Sequence, residues 1–161
     1  EAAGADLILL TCSSISPSVD VARPLIGVPL LKIDEPMADE AVRRGRRIAV
    51  VATADTTLKP TSGLIAARAA AAGVNVEIET ILCEGAHRLM LAGEMARHDE
   101  IVLGHLRRAM AAHDVVVLAQ GSMARVAALI PEGERTSPIL SSPRFGIQRV
   151  REMYAAMDTG M

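Results

Sequence analysis

The side chains best equipped for covalent or proton-transfer chemistry in this sequence are two cysteines, Cys12 and Cys83, each of which follows an apolar run. Cys12 stands in Thr11-Cys12-Ser13-Ser14-Ile15-Ser16, directly after the leucine- and isoleucine-rich residues 7–10. A thiolate is the reactive form of cysteine, and one of the few devices that stabilise it is the amino end of a helix, which residues 17–26 are expected to supply. A free cysteine is more commonly a small buried hydrophobe. The flanking hydroxyls, for which a core thiol has no use, weigh toward chemistry at Cys12. A second motif, Gln120-Gly121-Ser122-Met123-Ala124-Arg125, follows the apolar residues 115–119. Its glycine lets backbone N–H groups approach a ligand, and a helix starting there would favour an anion. The simpler alternative is a tight turn. Thr53-Ala54-Asp55-Thr56-Thr57 adds two hydroxyls, Thr53 and Thr57, at a third such place.

Other candidates are weaker. His98 and His105, seven residues apart, share a helical face with Glu94, but a zinc site needs closer, convergent ligands, so no metal is expected. Asp34-Glu35 ahead of Pro36 reads as a helix start, where acidic residues suit the dipole. Arg43, Arg44, Arg46 and Arg47 read as a basic helix end entering a strand, and Arg125 and Arg144 as either carboxylate partners or surface residues. Neither G-x-G-x-x-G nor G-x-x-x-x-G-K-[ST] occurs, so a nucleotide cofactor has no support and none is expected.

Seventeen basic against nineteen acidic side chains give a net charge of −2, without the basic stripe that nucleic acid demands. One Tyr, one Phe and no Trp leave no platform for stacking bases. The apolar runs fall far short of the roughly 18 residues of a membrane span. Two cysteines make no disulfide framework, so a reducing cytoplasm is the expected location. With 161 residues, half of them hydrophobic, the chain is long enough for one compact domain or two small lobes.

The elements that must position these residues follow from alternation. Strands are expected over residues 6–11, 28–33, 46–52, 74–82, 114–119 and 138–140, and helices over 17–26, 35–44, 56–72, 86–113 and 144–156, the long one broken near Gly93 or Asp99. Near-continuous apolar strands separated by helices predict an α/β fold with parallel sheets covered on both faces. Their carboxyl ends then share an edge, where such sheets bind ligands. That edge collects Thr11 to Ser14, Thr53 to Thr57, Cys83-Glu84-Gly85, Gln120-Gly121-Ser122 and Ser141-Ser142.

Four segments carry a family resemblance: Asp6-Leu-Ile-Leu-Leu-Thr-Cys12-Ser-Ser, Leu31-Lys-Ile-Asp-Glu-Pro-Met37, Val115-Val-Val-Leu-Ala-Gln-Gly121-Ser-Met-Ala-Arg125 and Leu140-Ser-Ser-Pro-Arg144. Together they resemble the aspartate/glutamate/hydantoin racemase superfamily, with arylmalonate decarboxylase and maleate isomerase among its relatives. The resemblance implies two Rossmann-like α/β/α lobes related by a pseudo-twofold axis, with a cleft between them. Here the first lobe would be residues 1–46 plus 142–161, the second 47–141, with an amino-terminal strand and helix outside this chain. It also implies cofactor-independent proton transfer at the carbon α to a carboxylate or carbonyl, between two cysteines on opposite faces of the substrate. Cys12 matches the first cysteine, and Gly121 stands where the comparison puts the second. A glycine cannot donate a proton, so Cys83 becomes the candidate substitute acid, with Ser13, Ser14, Thr53, Thr57, Gln120, Gly121 and Ser122 around the substrate. One-sided chemistry is the alternative, as a decarboxylase or a maleate-isomerase-like covalent cis–trans isomerase. A binding module that kept the cleft without the catalysis is a third reading. The implied partner is a small carboxylate or amino-acid-like substrate, with neither nucleic acid nor membrane; a homo-oligomer is left open.

Overall fold

The computed structural model describes residues 3–158, so both outer ends of the expected first lobe, in segments 1–46 and 142–161, lie outside the described residues. Among the described residues six strands form two parallel sheets. β1 (Ile8–Leu10) pairs with β2 (Leu30–Lys32), Ile8 opposite Leu30. β3 (Arg47–Ala52), β4 (Glu77–Leu82), β5 (Val115–Leu118) and β6 (Ile139–Ser141) form the second sheet in the order β4-β3-β5-β6. Every pairing is parallel, as the apolar strand runs predict.

The four-stranded sheet holds the core because both of its faces are apolar. From β3 and β5, Ile48, Val50, Ala52, Val115 and Val117 point to one face. There they meet Met37, Ala38, Ala41 and Val42 of α2 (Glu35–Arg44) and Leu58, Ile65 and Ala69 of α3 (Leu58–Ala71). The alternate residues Ala49, Val51, Val116 and Leu118 meet Val102, Leu106 and Met110 of α5 (Met95–Ala112) on the other face. This period-two division is the signature of a strand buried on both sides. Each fully buried Val, Leu or Ile contributes about 1.5–3 kcal/mol, and Leu106→Ala would cost about 2–5 kcal/mol.

Local chemistry sets the helix ends. α2 matches the expected residues 35–44: Pro36 occupies its first turn, Glu35 complements the positive end, Arg43 and Arg44 the negative end, and Gly45 stops it. The long helical stretch is broken at Gly93, whose φ of 77° is left-handed, giving α4 (Ala86–Leu91) and α5. β4 starts at Glu77 rather than residue 74, because its pairing with β3 begins at Arg47 opposite Glu77. A short α6 (Ala124–Ala127) was too brief for a periodic signal. The last helix, α7 (Ser142–Asp158), begins two residues before the expected 144 because Pro143, lacking an N–H, fits a first turn.

A two-stranded sheet is marginal alone, and side chains bind this one to its surroundings. α1 (Ser18–Ala22) is anchored by Asp20, whose Oδ2 accepts from Lys32 Nζ at 2.7 Å. Ser16 Oγ donates to Asp34 Oδ1 at 3.0 Å. On α7, Gly146 packs so closely on the end of β2 that a Cβ would lie 2.5 Å from Ile33 Cγ1 and 2.9 Å from the Ile33 carbonyl oxygen. α7 also packs along α2. The turn after β1 is thereby held beside the four-stranded sheet.

Candidate active site

Three strands end in the same way. After β1, Cys12 is extended (φ −114°, ψ 110°) and a 3₁₀ turn follows at Ser13–Ile15. After β3, Ala54 is extended (φ −122°, ψ 125°) ahead of a 3₁₀ turn at Asp55–Thr57. After β5, Gln120 is extended (φ −132°, ψ 128°) ahead of a 3₁₀ turn at Gly121–Met123. A 3₁₀ turn leaves its first N–H groups without partners inside the turn, so each strand end presents donors around its extended residue. The Cys12 turn packs against the Asp55–Thr57 turn and α3.

The repeated frame bears on where the second functional group stands. By backbone geometry the counterpart of Cys12 is Gln120, one residue before Gly121. The motif comparison put Gly121 there; matching the two turns shifts the register by one. Gly121 is not in the left-handed region, so its backbone would accept a side chain. A Cβ there would lie 3.1 Å from Pro143 Cγ, so the α7 ring crowds a side chain at 121.

Gln120 is held by an unusual convergence. Its Oε1 accepts from Thr53 N at 2.7 Å, Thr53 Oγ1 at 3.0 Å and Ala54 N at 3.2 Å. Backbone N–H groups can only donate, so the oxygen of the amide must face them and the orientation is fixed. The NH2 group has no acceptor among the described residues, and it is not among their buried unpartnered atoms. It therefore stands as an accessible, oriented pair of donors. Sequence reasoning named Gln120 as a substrate contact but not as the clamp joining the ends of β3 and β5. No spacing signal reveals that role, because the partners lie 66 and 67 residues away.

The remaining candidates divide by burial. Cys12 is exposed and Ser13 and Ser14 half-buried; Gly121 is half-buried and Ser122 exposed. Thr53 and Thr57 are buried with their hydroxyl protons committed, Thr53 to Gln120 and Thr57 to the Ala54 carbonyl at 2.9 Å. They build the wall of the site. Cys83 lies on the opposite face of the sheet, 0% exposed among Val51, Ala86, Val102 and Leu106. Burial pushes its thiol up to about 11, with Arg108 pulling slightly the other way. The structure does not bring its side chain to Cys12. The helix expected to support a Cys12 thiolate starts only at Ser18, so the nearest backbone donors belong to the 3₁₀ turn.

Asp34, read from sequence as a helix-start residue, makes no cap bond to α2. It is 1% exposed, accepts from Ser16, and leaves Oδ2 without a partner. Burial raises its pKa, against the lowering pull of Ser16, its own backbone, Ser13 and Lys32. Asp34 thus sits beneath the Cys12 turn. Arg125 is occupied by Asp99, bonded at 2.7 and 2.8 Å, and Asp99 also pairs with His98 at 2.8 Å. The Arg125 guanidinium holds the Asp99 carboxyl down at about 2. This cluster ties α6, just after the Gln120 turn, to α5. No group of three His, Cys, Asp or Glu able to hold a metal occurs among the described residues. No described helix is long and apolar enough to cross a membrane.

With this geometry in hand, comparison with known proteins gives a consistent picture. A model of the family described as Asp/Glu/Hydantoin racemase matches residues 1–150. Glutamate racemase from Thermus thermophilus in complex with β-chloro-D-alanine superposes with a TM-score of 0.70 at 19% identity, over 98% of this chain and 59% of that one. For allantoin racemase from Klebsiella pneumoniae the TM-score is 0.62 at 20% identity, over 96% and 62%. A glycine-to-cysteine mutant of arylmalonate decarboxylase, in a sulfate-associated form, gives 0.55 at 20% identity, over 93% and 68%. The chain spans about three-fifths of the length of the two racemases. At these identities the likeness is one of fold. A comparison with curated proteins finds no match.

Proposed function

The chain belongs to the Asp/Glu/Hydantoin racemase family, and we propose that it transfers a proton at the carbon α to a carboxylate or carbonyl of a small acid, without a cofactor, from one face only. Cys12 is the base and acid. The observation that carries this reading is that an exposed thiol at Cys12 and an anchored amide at Gln120 occupy the same position in one repeated strand-end frame. In its thiolate form Cys12 takes the α-proton. The electron pair left on carbon moves onto the substrate oxygen, giving an enolate that the same thiol reprotonates. Gln120 Nε2, the hydroxyls of Ser13, Ser14 and Ser122, and the first N–H groups of the Gly121 turn hold the oxygens on which that charge develops. Preorganised donors of this kind are typically worth about 10²–10³-fold each in rate. Thr53 and Thr57 act through the clamp. Cys83, walled into the core, has no step in this reading, and neither does a side chain at Gly121.

The two-lobed cleft, with residues 1–46 and 142–161 on one side and 47–141 on the other, is part of the same proposal. α2 complicates its outline, since its apolar face is buried on the four-stranded sheet. A second reading is favoured by Gln120, because an amide at the opposite face cannot act as a general acid. In it, loss of CO2 from a malonate-like acid leaves the enolate, Cys12 donates the single proton, and water restores the thiol. α-Hydrogen exchange of amino acids and hydantoins in D2O, and decarboxylation of malonates, by wild type and Cys12→Ala test the two readings. The proposal expects at least one substrate class to exchange its α-hydrogen and Cys12→Ala to lose about 10²-fold or more of that rate. Malonate decarboxylation alone selects the second reading, and turnover indifferent to Cys12→Ala overturns both.

A further inference from the structure

A cavity of about 330 Å³ lies between α1, β2 and α3, lined by neither Cys12 nor Gln120. Its volume is at the low end for small-molecule sites. Much of the lining is apolar, including Pro17, Pro60 and Leu64. Its inner end holds Lys32, only 4% exposed, a cation that a fold buries at considerable cost. The ammonium points to this cavity, since Lys32 Nζ donates to Asp20 Oδ2 at 2.7 Å and Asp20 is a lining residue. An ammonium has three N–H donors. Asp20 takes one of them, and no other acceptor for Lys32 is found among the described residues. Asp20 is itself 60% exposed, so water can solvate its carboxylate when another anion takes its place on Lys32.

The charge around the cavity is uneven. Lys59 lines it as well, giving two cations against the one carboxylate of Asp20. The other acid near Lys32 is Asp34, which burial drives toward its neutral form. A buried ammonium with unused donors, a displaceable partner and an apolar vestibule matches one ligand chemistry. We propose that this cavity binds a small monocarboxylate with a compact apolar body, its carboxylate on Lys32 in place of Asp20 and its body against Leu64 and the two prolines. The site is separate from the Cys12 chemistry and stands whether or not that reading survives. Ser16 lines the cavity and bonds Asp34, so an occupant touches the base of the Cys12 turn.

Gly63 supplies a clean steric test. It lines the cavity, and a Cβ built on it meets nothing within 4 Å. It also lies inside α3, where leucine is the better helix former. Gly63→Leu should therefore raise the melting temperature while filling the ligand's space. Benzoate and isovalerate, with benzamide as the neutral match, can be titrated by NMR against wild type and variants. Both acids should shift resonances around Ser16, Asp20 and Leu64 saturably, and benzamide should not. Lys32→Met and Gly63→Leu should each weaken binding tenfold or more, Asp20→Asn should tighten it several-fold, and Cys12→Ser should leave it unchanged. Should Lys32→Met not fold, Gly63→Leu alone decides. Equal binding of benzamide, binding that survives Gly63→Leu, or no saturable binding of either acid overturns the proposal.

Discussion

Placing a thiol at residue 120 and, separately, at residue 121 distinguishes the local frame seen in the structure from the register read in the motif. Gln120→Cys removes an acceptor that serves three donors at 2.7, 3.0 and 3.2 Å. At about 0.5–1.5 kcal/mol for each bond the loss is roughly 1.5–4.5 kcal/mol. For a chain of this size that corresponds to a fall in melting temperature of about 3–18 °C. Gly121→Cys keeps the clamp but sets its Cβ 3.1 Å from Pro143 Cγ, so the ring must give by a few tenths of an ångström. Overpacking of this kind typically costs about 1–3 kcal/mol. The functional consequences run the other way. A thiol at 120, the counterpart of Cys12, supplies an acid to the opposite face, and general acids contribute about 10²–10⁴-fold. Chiral chromatography of an amino-acid or hydantoin substrate should show inversion rising by that order in Gln120→Cys and not in Gly121→Cys. Inversion gained only by Gly121→Cys refutes the frame argument. Wild-type inversion as fast as its α-proton exchange refutes the single-face account itself.

Other expectations follow from the same geometry. Thiol titration at pH 8 should label Cys12 at once and Cys83 only after denaturation, since Cys83 is buried with its pKa pushed to about 11; Cys83→Ala should leave turnover intact. Asp34 carries a raised pKa, so it adds stability below the unfolded carboxyl value near 4 that is lost as pH rises through its own higher value. Asp34→Asn, which keeps an acceptor for Ser16, should flatten that loss and match or exceed wild type at pH 7 in urea melts. Asp99 has the opposite sign: held at about 2 by Arg125, it adds stability above pH 4 that disappears between about pH 4 and pH 2. Screened by water, this is at most about 2 kcal/mol, and Arg125→Gln should remove most of it in acid titrations of stability.

The layout of strands and helices is largely legible in the sequence because it depends on short-range signals. Pro36 and Gly45 bracket α2, Gly93 breaks the long helix, and the valine runs of β3 and β5 can only be buried strands. The place of Cys12, exposed at the turn after β1, is also readable from the strand-end pattern. What lay hidden depends on partners far apart in the chain. The Gln120 clamp needs Thr53 and Ala54 brought alongside by parallel pairing of β3 with β5. Asp34 stands at the start of α2 as read, but its carboxyl turns inward to Ser16. Arg125 reads equally as a carboxylate partner or a surface residue, and Asp99 claims it. Cys83 shares a strand-end position with the other candidates, but the direction of its side chain decides its surroundings, and a boundary uncertain by one residue reverses that direction.

The account stands most directly on α-hydrogen exchange measured in D2O. Wild type and Cys12→Ala would be incubated with a panel of small acids, with α-deuterium followed by NMR and optical purity followed in parallel. The account predicts Cys12-dependent deuterium at the α-carbon of at least one acid, acquired with optical purity retained or, for a malonate, with one enantiomer of the decarboxylated product. Deuterium incorporation that persists in Cys12→Ala, or none in any acid, would contradict it.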